Sequence, residues 1–67
     1  MKIDIRQNII NNFKNTNIEE IKDSIVSSIS ENDEITLPGL GVFFEILWNN
    51  SDDNQKTTII NSIKKGL

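Results

Sequence analysis

The sequence predicts a small all-α domain, a bundle of about four short helices. Three observations predict it: apolar residues recur at helical spacing in three segments, capping residues precede each of them, and a proline opens the most apolar stretch. The chain has 67 residues, which form a single domain over 1–67. Because so short a chain buries only about 60% of its unfolded surface, its stability is expected to be marginal or aided by self-association.

The first helix is predicted over residues 4–14. Asp4 is a good N-cap, and Gln7 lies three residues on, where it can return the capping hydrogen bond. The apolar residues form one stripe at helical spacing: Ile5, Ile9, Ile10 and Phe13. The polar stretch KNTN then ends the pattern.

A second helix is predicted over 17–31. Two capping pairs are equally good candidates for its start, Thr16 with Glu19 and Asn17 with Glu20. Its apolar residues again follow helical spacing: Ile18, Ile21, Ile25, Val26 and Ile29. We expect the first two helices to pack antiparallel and to bury one isoleucine-rich face.

The last helix is predicted over 52–65. Ser51 is the expected N-cap, and Asp52 and Asp53 complement the positive end of the helix dipole. Gly66 is the expected stop. The apolar stripe comprises Ile59, Ile60, Ile63 and Leu67, and the basic residues of the last turn are Lys64 and Lys65.

The segment between these helices, TLPGLGVFFEILW, is open to two interpretations. As a helix over 38–50 it would start at Pro38 and turn Glu45 and Asn49 toward solvent. Its core face would then be Leu40, Phe43, Phe44, Leu47 and Trp48. The helix accounts for more residues and is favoured as the central buried element.

The alternative is a β-hairpin at 34–48, flanked by two helices before it and one after it. Strict alternation would place six residues on one face: Ile35, Leu37, Val42, Phe44, Ile46 and Trp48. That arrangement leaves Phe43 and Leu47 on a second apolar face with nothing to cover it.

The composition excludes several classes of function. The chain has no cysteine and no histidine, so we expect no enzyme and no catalytic, cofactor-binding or metal site. Net charge is −3, which disfavours DNA binding. The basic residues are scattered: Lys2, Arg6, Lys14, Lys22, Lys56, Lys64 and Lys65. We expect no export signal, no membrane association and no small-molecule substrate.

Three local patterns have functional readings that the sequence does not favour. Gly39-Leu40-Gly41 lacks the third glycine and preceding strand of a phosphate loop. Glu45 has no nearby carboxylate or histidine to partner it in acid–base chemistry. The acidic run 52–54 lacks calcium-loop spacing.

The stretch LPGLGVFFEILW, followed by a polar break and a short helix ending KKGL, carries a resemblance. It is similar to the I-type small acid-soluble spore proteins of endospore-forming Firmicutes, over essentially the whole chain. Phe43 replaces the leucine more usual there. The matching residues are Leu37, Pro38, Gly39, Leu40, Gly41, Val42, Phe44, Glu45 and Trp48.

This resemblance implies a minor, non-enzymatic protein of the dormant spore core, made in the developing forespore, with a structural or protein-interaction role in sporulation. It implies no mechanism. The DNA-coating α/β-type spore proteins have a glycine-rich DNA-binding signature and a protease-recognition sequence, and both are absent here. The expected partner is a protein, either unidentified or a second copy in a homodimer.

A weaker resemblance supports the alternative function, a nucleoid-associated protein that binds DNA or RNA weakly. Two helices followed by EITLPGLGVFFEI resemble the amino-terminal half of histone-like HU/IHF proteins. Those proteins extend an arginine-rich arm into the minor groove. This chain has Arg6 as its one arginine, so at most the architecture is shared.

Overall fold

The computed structural model describes residues 4–67, and within that range it is entirely helical apart from turns and caps. The helices are α1 (Ile5–Phe13), α2 (Ile18–Glu31), α3 (Leu37–Asn49) and α4 (Asp53–Lys65), and the 3-10 helix Glu34–Thr36 precedes α3. The all-α prediction is therefore confirmed, and the hairpin alternative is wrong. Lys2 lies outside the described residues.

Side-chain caps fix where α1 and α2 begin. The Asp4 carboxylate accepts a hydrogen bond from the Gln7 backbone N–H at 3.1 Å, as predicted. The Gln7 side chain donates to Asn11 instead of returning to the cap. Of the two candidates for α2, Asn17 is the N-cap, since its side chain accepts from the Glu20 N–H at 2.8 Å.

A different residue from the one predicted caps α4. Asp52 and Gln55 form a complete capping box, with hydrogen bonds of 2.8 and 3.0 Å in the two directions. The prediction of Ser51 as N-cap is wrong, because its hydroxyl donates to the Leu47 carbonyl oxygen at the end of α3. Gly66 does end α4, but with right-handed backbone (φ −85°), so its glycine freedom is not used.

The link between α2 and α3 is a tight reversal. Asn32 ends α2 with a left-handed backbone (φ 50°), a conformation that asparagine tolerates better than most residues. The Thr36 hydroxyl then donates to the carbonyl oxygens of Asp33, at 2.8 Å, and Ser28, at 3.2 Å. Pro38 follows in the first turn of α3, where no intrahelical N–H bond is lost.

Helix α3 is the centre of the fold, and it packs most extensively on α1 and less on α2. The isoleucine faces of α1 and α2 meet at α3 rather than forming a separate two-helix layer. Val42 on α3, 5% exposed, is the one buried residue of 4–67.

The chain exposes more surface than its size requires. Its accessible area is 5883 Å², whereas a compact 7.6 kDa protein has about 4,300 Å². The radius of gyration is 13.1 Å, against about 11 Å for a compact domain of this length. Both comparisons describe an open bundle with apolar surface left uncovered.

Candidate interaction surface

The two sides of α3 have different surroundings. Gly39, Val42, Phe43 and Ile46, which we call the inner face, lie toward α1 and α2. A Cβ placed on Gly39 would lie 3.6 Å from Ile9 Cδ1, an ordinary van der Waals contact, so α1 lies against α3 at this position. The Phe13 and Phe43 rings meet edge to face with centroids 5.1 Å apart. The small core of the protein lies on the inner face at Val42 and Phe43, and Ile46 at its edge is 39% exposed.

The opposite side of α3 carries a second apolar stripe. Leu37, Gly41, Phe44 and Trp48, which we call the outer stripe, follow one another at spacings of four, three and four residues. That spacing aligns them on one side of a helix, away from Val42. Leu37 is 59% exposed and Phe44 41% exposed. No atom lies within 4 Å of a Cβ placed on Gly41, so the stripe has an open gap at its middle.

The predicted core face of α3 is right for Phe43, which packs on Phe13, and wrong for Phe44 and Leu47, although the helix itself is confirmed. Phe44 and Leu47 are exposed and Trp48 is half-buried, while Val42, absent from the predicted face, is the most buried residue. The physical reason is that α1 docks on α3 at Gly39, on the side of the helix away from Phe44 and Trp48.

Trp48 links the outer stripe to α4. Its ring stacks on Phe44, with centroids 6.1 Å apart and an interplanar angle of 27°. The Lys56 ammonium lies 5.2 Å from the indole centroid, a cation–π contact. Ile60, half-exposed on the same side of α4, lies beside Trp48 and extends the apolar surface.

The single charge of α3 is neutralised within the chain. Glu45 lies beside the inner face and accepts hydrogen bonds from Arg6 Nε on α1, at 3.1 and 2.9 Å to its two oxygens. This hydrogen bond and the carboxylate charge raise the pKa of Arg6. The prediction of a solvent-facing Glu45 missed this partner. A lone charge in an otherwise apolar helix was the available signal.

A second apolar feature lies between α1, α2 and α3. It is a cleft of about 320 Å³ with almost wholly apolar walls, lined by Ile9, Ile10, Phe13, Ile21, Ile25, Phe43, Ile46 and Leu47. No charged group lines it. It is the imperfectly filled edge of the core described above.

The three local patterns considered as possible functional sites, at 39–41, 45 and 52–54, are all parts of helices or their caps. Gly39 and Gly41 lie within a helix, not a loop, and the acidic run at 52–54 caps and begins α4. Among residues 4–67, no group of three or more metal-binding side chains lies together. In the same range, no helix has the length and apolar character needed to cross a membrane.

The fold and this surface together define a small all-α protein with an exposed apolar helix face. The model of the family small, acid-soluble spore protein I matches residues 3–67 of the chain. The chain therefore belongs to that family of spore proteins. Since its central segment is a helix, the shared architecture considered for histone-like proteins is wrong.

Relatives of the same name match over the full length. Small, acid-soluble spore protein I of Halalkalibacterium halodurans is 39% identical over 67 residues, which covers 100% of this chain and 98% of the relative. The proteins of that name from Bacillus mycoides (strain KBAB4) and Bacillus cereus (strain G9842) are each 33% identical, with 100% and 97% coverage. No solved structure matches the chain.

Proposed function

We propose that the chain is a non-enzymatic protein of the dormant spore core, made in the developing forespore, that acts by contact with protein. The observation that carries this proposal is the outer stripe of α3. Soluble proteins seldom leave a continuous apolar helix face uncovered unless it meets a partner. Aromatic residues such as Phe44 and Trp48 are also enriched in protein interfaces.

The charges of the described residues favour a protein partner over nucleic acid. Nucleic-acid binding by charge needs Lys and Arg grouped on one face to displace counterions from phosphates. Arg6 is paired with Glu45, and Lys56 lies over Trp48. The adjacent pair Lys64 and Lys65 is the remaining cluster, at the end of α4. An apolar surface on an acidic chain suits contact with protein.

The first test is a titration of duplex DNA and of single-stranded RNA at low salt. We expect no binding tighter than about micromolar, the strength of nonspecific electrostatic association. Tight binding that falls steeply with added salt would overturn the proposal in favour of a nucleoid-associated role.

The second test is cross-linking in intact spores. Spores are made by an endospore-forming host whose own copy is replaced by this chain, then stripped of coat layers and treated with a permeant cross-linker. We expect the chain to remain in the stripped spores and to form cross-linked protein species that Phe44→Glu abolishes. Asn11→Glu, which adds the same charge at an exposed position of α1, is the control. Loss of the chain with the coats, or no cross-linked species at all, would contradict the proposal.

A further inference from the structure

We infer that the outer stripe of α3 binds a second copy of this chain, so that two α3 helices pack antiparallel across a two-fold axis. The inference rests on the proposed function, because it names the protein contacted. Four observations support it: the area left exposed, the composition of α3, the self-complementarity of the stripe and the charges at its two ends.

The exposed area is what a homodimer needs. The accessible area of 5883 Å² is about 1,600 Å² larger than that of a compact protein of the same mass. A standard interface buries about 800 Å² on each partner, and permanent homodimers bury more. One contact along the outer stripe and the adjoining part of α4 falls within that excess.

The apolar composition of α3 favours burial of its side chains on both sides of the helix. Glu45 is its only charged residue, and Asn49 is its only other polar side chain. A helix that is apolar all round is stable when it is buried all round. Helices α1 and α2 pack on the inner face and α4 partly covers Trp48, so Leu37, Gly41 and Phe44 remain exposed for a partner.

The stripe is complementary to itself when reversed. Leu37 and Trp48 are equally distant from its midpoint, as are Gly41 and Phe44. An antiparallel pair therefore places each Phe44 ring in the gap at the other chain's Gly41, and each Trp48 against the other chain's Leu37. A parallel pair would instead oppose Phe44 to Phe44 and leave a void between the two glycines, which close packing disfavours.

The charges at the ends of the stripe also match in this arrangement. Lys56 lies beside Trp48 at one end, and Glu34 lies three residues before Leu37 at the other. Antiparallel pairing brings each lysine near the other chain's glutamate. The helix dipoles also oppose each other, which favours the antiparallel form.

The test is sedimentation equilibrium of the full chain and of Gly41→Glu. No atom lies within 4 Å of a Cβ placed on Gly41, so we expect this substitution to leave the protomer folded. We expect the wild-type chain to pass from 7.6 kDa to twice that mass as concentration rises. Gly41→Glu should raise the dimer dissociation constant by at least about 30-fold, because it buries an unpaired charge. Asn11→Glu should behave as wild type.

Three outcomes would overturn the inference: a monomer at all concentrations up to about 1 mM, a dimer unchanged by Gly41→Glu, or a dimer equally weakened by Asn11→Glu. Circular dichroism of each variant verifies that the helices persist. The inferred self-association can be wrong while the proposed function is right. Spores whose cross-linked species contain other proteins but no second copy would contradict self-association and leave the contact role standing.

Discussion

Arg6 Nε lies 2.9 Å from Glu45 Oε2 and thereby joins α1 to α3 across 39 positions of sequence. Both side chains are largely exposed, at 68% and 46%. Exposed ion pairs contribute little to stability, because water screens the charges and two long side chains must be held in place. The pair therefore contributes little to the stability of the contact between α1 and α3.

The first prediction concerns this pair. Glu45→Gln should lower the midpoint of denaturant unfolding only slightly, and the difference from wild type should vanish in about 1 M NaCl, where the Debye length is near 3 Å. Arg6→Gln should have the same effect, and the double variant no more than either alone. A large loss that persists in high salt would contradict this account.

The pH dependence of the pair follows from the raised pKa of Arg6. A group whose pKa is higher in the folded state stabilises that state at all pH values below its ordinary pKa. The stabilisation is lost only as the pH rises through the folded-state pKa. For arginine this window lies above about pH 12. Arg6 therefore adds no pH dependence to unfolding between about pH 6 and 10.

The second prediction separates the inner face from the outer stripe. Val42→Ala should cost about 2 kcal/mol of unfolding free energy, because it removes buried methyl groups and leaves a cavity. Phe44→Ala removes more atoms but from a side chain that is 41% exposed. Its cost at low protein concentration should be smaller than that of Val42→Ala and should grow with concentration. Urea unfolding of each variant at two protein concentrations measures these costs. A larger cost for Phe44→Ala than for Val42→Ala in dilute solution would contradict the assignment of Val42 to the inner face and Phe44 to the outer stripe.

The third prediction compares two glycines of α3. Gly39→Leu should destabilise the protomer by about 1–3 kcal/mol, because the added side chain would overpack against Ile9. Gly41→Leu should stabilise it by up to about 1 kcal/mol, since leucine is the better helix former and meets nothing. Thermal unfolding in dilute solution distinguishes them. Gly39→Ala is the matched control, and its Cβ makes an ordinary contact at 3.6 Å.

The fourth prediction tests the start of α4. Asp52→Ala should cost about 1 kcal/mol, the usual effect of losing an N-cap. Ser51→Ala should cost less, because the capping box is formed by Asp52 and Gln55. Helicity by circular dichroism and urea unfolding measure both. A larger effect at Ser51 than at Asp52 would contradict the observed cap.

Local signals in the sequence were sufficient for the helices but not for their packing. Asp4 as a cap and Pro38 in a first turn follow from chemistry within one turn of helix, and both are confirmed. Which side of α3 is buried depends on where α1 docks, which is set by contacts such as Ile9 at Gly39 far apart in sequence. An apolar helix gives no periodicity from which to choose a side.

The candidate surface could be predicted only in part, because its exposure depends on how the helices pack. A second copy of the chain was one of the expected partners, but the central segment was expected to be buried. The Arg6 partner of Glu45 and the gap at Gly41 required the tertiary arrangement. The resemblance to the spore proteins lay in the same stretch, and the family model matches residues 3–67.

The most direct test of the antiparallel contact is an isotope-filtered NOE experiment on a mixture of labelled and unlabelled wild-type chain. Within one chain, Leu37 and Trp48 are about 16 Å apart along the helix, too far for an NOE. We predict intermolecular cross-peaks between the Trp48 indole of one copy and the Leu37 methyl groups of the other. Cross-peaks between the two Leu37 side chains, or none between copies at concentrations where sedimentation shows dimer, would contradict it.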